Sequence, residues 1–266
     1  MLLTITTYSM LSFAALITHD FCLLPWFGLN PKTLRLNVLG NILWVVYIVL
    51  LILSLTSHFR AMTADPGLVP KDLEISKKCK RCQSGKPARA HHCRICDRCV
   101  FRMDHHCPWV GNCVGYGNQK YFLLFLFYIG VLSAYTLALL SLAGIQWYYN
   151  GSRHDPIAVA GCAILTVLSL FFAIFVTSFI SEQLESLRTN TTLVETYQFK
   201  KGKTQKGFWY NFAEIFGNNK LFWFLPINTM KPADFFEEVV AEKTEIAADS
   251  QRMDNGVPLE PVVRRK

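Results

Sequence analysis

The chain reads as an α-helical polytopic membrane protein, with four transmembrane helices and a cytosolic two-zinc cysteine-rich domain between helices 2 and 3. Three observations carry that expectation. Apolar residues make up 52% of the chain, and four long runs contain no Asp, Glu, Lys or Arg. Seven of the nine cysteines fall between Cys79 and Cys113. Lys and Arg cluster on one side of those runs.

A spanning helix needs about 20 largely apolar residues. The four runs are roughly Met1–Thr18, Leu36–Ser57, Tyr121–Tyr149 and Pro156–Ser181. The first is short and carries Thr4, Thr6 and Thr7. It lacks the positive n-region of a signal peptide, so it is read as a first span with almost no tail before it. Arg60 to Lys120 carries 12 basic residues, and the stretch after Ser181 carries another 12. The other two connections carry only Lys32, Arg35 and Arg153. The positive-inside rule then places the cysteine-rich loop and both termini in the cytosol. The formal charge of +8 is mostly this topology signal, not a sign of nucleic-acid binding. The resulting domains are 1–59 (helices 1 and 2), 60–120 (cysteine-rich), 121–181 (helices 3 and 4), 182–239 (cytosolic, aromatic and membrane-proximal) and 240–266 (a disordered tail). No internal repeat is read.

Structural zinc takes four tetrahedral ligands, often from C-x2-C pairs. Cys79-x2-Cys82 and Cys93-x2-Cys96 are such pairs; Cys99 and Cys113 add sulfurs, and His91, His92, His105 and His106 are candidate nitrogens. Six Cys and two His fill two sites and leave one thiol over, and spacing alone does not say which. Disulfides, or one larger thiolate cluster, are the competing readings. Disulfides fit poorly with a cytosolic loop.

The run reads C-x2-C-x9-H-C-x2-C-x2-C-x4-D-H-H-C-x5-C-x4-N-x3-F, from Cys79 to Asn118 and Phe122. In this it resembles the cysteine-rich domain of the DHHC-type protein S-acyltransferases, the palmitoyltransferases. The resemblance implies one zinc on Cys79, Cys82, His92 and Cys99, and a second on Cys93, Cys96, His106 and Cys113. Cys107 is then the unligated thiol and the nucleophile. A thiol attacks a thioester as its thiolate, which a neighbouring His can generate and a carboxylate can orient. His105 is the implied base and Asp104 the implied orienter. Both zinc ions are implied to be structural, with every position filled by protein.

The implied reaction moves a long-chain acyl group from palmitoyl-CoA, through a thioester on Cys107, to accessible cysteines of cytosolic or membrane proteins at the cytosolic face. Lys86 and Arg89, in K-P-x-R, are the implied ligands of the CoA phosphates, with Arg94 and Arg98 as alternatives. The partners are therefore acyl-CoA, protein substrates and the lipid bilayer, with no nucleic acid. Asp65-Pro66-Gly67 resembles the family's Asp-Pro-Gly motif and reads as a turn. Thr191-Thr192-Leu193-Val194-Glu195 has one residue more than the family's Thr-Thr-x-Glu, which leaves the role of Glu195 open. Thr192 is expected to brace the active-site loop. Asn211-x4-Phe216-Gly217 resembles a C-terminal family motif in which the Asn is structural. Relatives suggest the Golgi or another endomembrane. Two other classes compete with this reading. A non-catalytic zinc-containing adaptor is disfavoured by the intact Asp-His-His-Cys. A transporter or channel would place charges inside the spans, and these spans have none.

Overall fold

The structure is a computed structural model and describes residues 2–23, 38–73, 75, 77–150, 156–199 and 207–227. The expected disordered tail, 240–266, lies outside the described residues. The helices are α1 (Leu2–Ile17), α2 (Val38–Thr63), α3 (Gln119–Asn150), α4 (Pro156–Thr189), α5 (Leu193–Tyr197) and α6 (Phe208–Phe216). Four short strands, β1 (Ala90–Cys93), β2 (Arg98–Phe101), β3 (His105–Cys107) and β4 (Asn112–Val114), lie between α2 and α3.

Among the described residues, three helices are long and apolar enough to cross a membrane: α2, α3 and α4. This corrects the expected count of four. The first run is helical, but its α-helix is 16 residues long and passes into a π-helical turn, Thr18–Leu23. At 1.5 Å per residue, 16 residues reach only about 24 Å, short of a hydrocarbon core about 30 Å thick.

The span of α3 is 50% buried, against 17% for α2 and 22% for α4, so α3 is the centre of the bundle. Outward apolar side chains such as Ile42, Val45, Ile164 and Val167 are exposed, as lipid contact requires. Tyr8 meets His58 and His19 meets Trp44, so α1 runs antiparallel to α2. The expected boundaries on α2 and α4 fall short. Helix α2 runs on to Thr63 and α4 to Thr189, where good helix formers such as Glu182, Gln183, Leu184 and Glu185 extend it.

The cysteine-rich region is joined to this bundle by polar side chains. Asn112 Nδ2 donates to the carbonyls of Ala61, Met62 and Ala64 at 3.0–3.3 Å. Asn118, fully buried, donates to Ala61 at 3.0 Å and to Cys113 at 2.8 Å. These bonds satisfy carbonyls that the end of α2 leaves without helical partners. The Asp-Pro-Gly segment is a turn: Asp65 Oδ1 accepts from the N–H groups of Gly67 and Leu68, both at 2.8 Å, and Gly67 adopts φ +97°. Asn211, buried in α6, donates to the Leu187 carbonyl at 2.8 Å and ties α6 to the end of α4.

Candidate active site

The strands form two antiparallel hairpins, β1–β2 and β3–β4. In the first, His92 pairs with Cys99; in the second, His106 pairs with Cys113. Each His–Cys pair is joined by a C-x2-C turn lying before it in sequence. Two clusters result: Cys79, Cys82, His92 and Cys99, and Cys93, Cys96, His106 and Cys113. Within each, the donor atoms lie within 4.8 Å of one another.

These residues fit a metal. Three sulfurs and one nitrogen form a common closed zinc set, and Zn–S bonds of about 2.3 Å put tetrahedral sulfurs about 3.8 Å apart. The Sγ atoms of Cys82 and Cys99, and of Cys96 and Cys113, are 3.6 Å apart. His106 Nδ1 stands 3.4–3.6 Å from the three sulfurs of its cluster. The buried Nδ1 of His92 makes no hydrogen bond. Burial, and then crowding by Cys79 and Cys82, pushes the Cys99 thiol up to about 12. A cation relieves that crowding. The described cysteines are free thiols.

Cys107 belongs to neither cluster. It is 6% exposed and lies at the end of β3, with its side chain on an apolar cavity among the helices. The cavity wall on α3 runs from Phe122 to Thr136; α1, α2 and α4 contribute Leu11, Tyr47 and Leu165 among others. His105 Nδ1 lies 2.8 Å from Asp104 Oδ2, and its imidazole also interacts electrostatically with the Cys107 side chain. The His105 ring packs edge-on against Phe122 at 5.1 Å. Burial pushes His105 down, but Asp104 and Cys107 outweigh it and lift its pKa to about 9. Burial pushes Asp104 up, yet the His105 hydrogen bond and charge hold it below the ordinary carboxylate range. At neutral pH the dyad is therefore an imidazolium on a carboxylate. It places positive charge beside the Cys107 sulfur.

The sequence reading missed what holds Asp104. Its Oδ2 also accepts from Gln183 Nε2 at 2.8 Å, and Oδ1 accepts from the Leu193 N–H at 2.8 Å. Gln183 in turn accepts from Gln119 Nε2 at 3.3 Å. All three side chains are buried. Only the extension of α4 beyond its apolar run brings Gln183 there.

The Thr-Thr-x-x-Glu segment builds the rest of the cradle. Thr192 caps α5, its hydroxyl accepting from the Glu195 N–H, while Glu195 Oε2 accepts from the Thr192 N–H at 2.9 Å. The extra residue thus sets Glu195 at the third helical position of a capping box. Arg89 grips the same carboxylate at 2.7 and 2.8 Å and donates to Asn190 at 2.8 and 3.2 Å. Burial raises Glu195 and Arg89 lowers it; the net effect lies below the ordinary range. So the structure places Arg89 in a brace beneath the site. Lys86 is half-buried, on the zinc spacer before it.

An internal repeat also emerges, correcting the reading that found none. Cys79, Cys82, His91, His92, Cys93 and Cys99 recur 14 positions on as Cys93, Cys96, His105, His106, Cys107 and Cys113. The strand registers repeat with them: His91 faces Val100, and His105 faces Val114. The turns do as well. Gln83, Asp97 and Gly111, at the same interval, all have positive φ, of 58°, 50° and 66°. The fixed spacing was the available signal, hidden because the two copies overlap and share Cys93.

Comparisons with known proteins agree with this geometry. A family model described as DHHC palmitoyltransferase matches residues 73–201. The palmitoyltransferase ZDHHC3 of Rattus norvegicus is 37% identical over 221 residues, covering 74% of this chain and 73% of that protein. The palmitoyltransferase ZDHHC7 of Mus musculus is 33% identical over 247 residues, covering 85% and 78%. The probable protein S-acyltransferase 12 of Arabidopsis thaliana is 34% identical over 226 residues, covering 75% and 77%.

Proposed function

The chain belongs to the DHHC palmitoyltransferase family and is a protein S-palmitoyltransferase, and from that premise we propose how its own residues carry the reaction. Cys107 is the nucleophile. Paired with the His105 imidazolium, it attacks as thiolate the thioester carbonyl of palmitoyl-CoA. The carbon–sulfur bond to CoA breaks, and the leaving CoA thiolate takes the proton from His105. Neutral His105 then removes the proton from a substrate cysteine, whose sulfur attacks the new thioester on Cys107. That step releases Cys107 as thiolate and returns the imidazolium. Asp104 keeps the His105 ring oriented throughout, and Thr192, through α5, aims the Leu193 N–H at Asp104.

The observation that carries this reading is the Asp104–His105–Cys107 constellation at the mouth of an apolar cavity. The 15 residues of wall from Phe122 to Thr136 span about 21 Å of helix. Each buried acyl CH2 contributes about 0.8 kcal/mol, so a long chain is held there while its thioester meets Cys107. Lys86 is assigned to the CoA phosphates; Arg89 lies beside it but is engaged by Glu195 and Asn190. The ion in both clusters is assigned as zinc, held by Cys79, Cys82, His92 and Cys99 and by Cys93, Cys96, His106 and Cys113. When bound, it fixes the hairpins and takes no part in the chemistry, because each set of four protein donors leaves no open position. The helix α1 with its π-helical turn is read as a fourth span. Its antiparallel contacts with α2 support this, as does the bond from Thr4 to Trp109, which puts its start beside the cysteine-rich region. Both termini and that region then face the cytosol, in the Golgi or another endomembrane. Protein substrates with cysteines near the bilayer are the acyl acceptors. An adaptor without catalysis has no use for the His105–Asp104 pair.

The test is self-acylation. Purified wild type receives labelled palmitoyl-CoA and takes up label that hydroxylamine releases. Cys107→Ser takes up none while keeping its zinc. Zinc release from Cys107→Ser would overturn the ligand assignment, and no label on folded, zinc-loaded wild type would overturn the mechanism.

A further inference from the structure

A buried histidine in a membrane helix reaches the catalytic turn from beneath. His58, near the end of α2, is fully buried. Its Nε2 lies 3.1 Å from the Trp109 carbonyl oxygen and its Nδ1 3.2 Å from the Tyr8 hydroxyl. A carbonyl oxygen can only accept, so Nε2 carries the proton. In the neutral ring, Nδ1 then accepts from the Tyr8 O–H. Thr4 donates to the same Trp109 carbonyl at 3.4 Å. Trp109 sits inside the turn that the Gly111 N–H closes on the Cys107 carbonyl at 2.8 Å. Two helices thus hold one carbonyl, two residues from the nucleophile. The His58 ring also packs edge-on against Phe125 at 4.8 Å, and Phe125 lines the cavity with Cys107.

We propose that His58 is a positioning residue for acyl transfer: through the Trp109 carbonyl it holds the Cys107–Gly111 turn so that the thiol stays at the cavity mouth. Asn112 anchors the β4 side of the hairpin to the end of α2, and His58 anchors the turn side to the same helix. The thiol is thereby fixed against the cavity from both sides. Phe125 gives a bound chain a direct contact with the ring that holds the turn. The inference rests on Cys107 being the nucleophile.

The experiment measures single-turnover acylation by palmitoyl-CoA, together with zinc content, on the full chain in detergent. A nucleophile displaced by about 1 Å loses on the order of 100-fold in rate. We expect His58→Ala to lower the maximal rate constant by about 30-fold, with the half-saturating palmitoyl-CoA concentration and zinc unchanged. His58→Gln keeps an N–H that can reach the Trp109 carbonyl and recovers to within about threefold of wild type. Tyr8→Phe removes the donor to Nδ1 and costs about threefold. Wild-type kinetics in His58→Ala, or equal losses in His58→Gln and His58→Ala, would overturn the inference, since a bulk packing role needs no donor. If His58→Ala alone loses zinc, Tyr8→Phe decides: a lowered rate constant with unchanged half-saturation supports the inference, and a wild-type value overturns it. Cys107→Ser serves as control. Label retained there overturns the nucleophile assignment and this inference with it, whereas label lost there with normal His58→Ala kinetics overturns this inference alone.

Discussion

The hairpins β1–β2 and β3–β4 are built on one plan and differ in what happens to the cysteine that follows the paired histidines. In Ala90-His91-His92-Cys93 that cysteine is a donor of the second metal-ready cluster. In Asp104-His105-His106-Cys107 it is not. The reason lies 14 positions further along. A third copy of the pattern would need Cys at 110, His at 120 and Cys at 127, where the chain has Val110, Lys120 and Phe127. The third turn keeps the backbone of the first: the Gln83 N–H bonds to the Cys79 carbonyl at 3.0 Å, and the Gly111 N–H to the Cys107 carbonyl at 2.8 Å. It has lost its donors. The turn that carries Cys107, the proposed nucleophile, therefore has the backbone of a metal-ready turn with one thiol left, and Asp104 in place of Ala90 supplies the carboxylate that the first hairpin lacks.

Six substitutions, arranged in four tests, show how far this comparison holds. The largest contrast is between the two post-histidine cysteines. Cys107→Ser should lower self-acylation by about 10⁴-fold or more with zinc content intact. Cys93→Ser should instead lose zinc and destabilise the region by about 4 kcal/mol or more, read from metal content and thermal melting. Next come the two unligated histidines. His105→Ala removes the proton carrier and should cost about 10³-fold in single-turnover rate, whereas His91→Ala should stay within about threefold. Equal effects would mean that the hairpins share more of the chemistry than their geometry implies.

Third, Asp104→Asn should lower the rate by about 10²-fold and change its pH dependence. His105 is raised to about 9 in the fold, above its ordinary 6.5. Its proton thus contributes stability that is fully present below pH 6.5 and is lost as pH rises through about 9. Wild type should lose both melting temperature and acylation rate across that window. In Asp104→Asn the window should move to lower pH, because the main upward influence on His105 is gone. The smallest effect is expected from Val110→Cys, which restores a C-x2-C turn around the nucleophile. Under mild oxidant its acylation should fall roughly fivefold and recover with reductant.

Much of this was legible from residue types and spacing. The ligand sets stand out because cysteine and histidine are scarce and their chemistry demands fixed numbers of donors. The spans of α2, α3 and α4 stand out because lipid tolerates no charge over 20 residues. What was hidden depends on distance in space. Gln183 is an ordinary helix residue until α4 is known to continue past the membrane and pass behind Asp104. Arg89, in its K-P-x-R motif, meets an anion over a hundred residues away, Glu195, and no local spacing reveals that pairing. The split of the first run into a 16-residue α-helix and a π-helical turn was hidden as well, because composition carries no mark of where an α-helix turns π-helical.

The clasp of Asn112 on α2 has a consequence for helical phase. One amide reads the carbonyls of Ala61, Met62 and Ala64 together, so the hairpin senses the angle at which α2 leaves the bilayer as well as its height. A single residue inserted between Ser57 and Arg60 would swing those acceptors by about 100° and lift them by about 1.5 Å, turning the thiol away from its greasy channel. A whole extra turn would restore the heading and leave only a vertical offset of about 5.4 Å. The enzyme is in this sense indexed to its membrane like a key on a shaft: azimuth is set by the last turn of one helix, and depth by that helix's length.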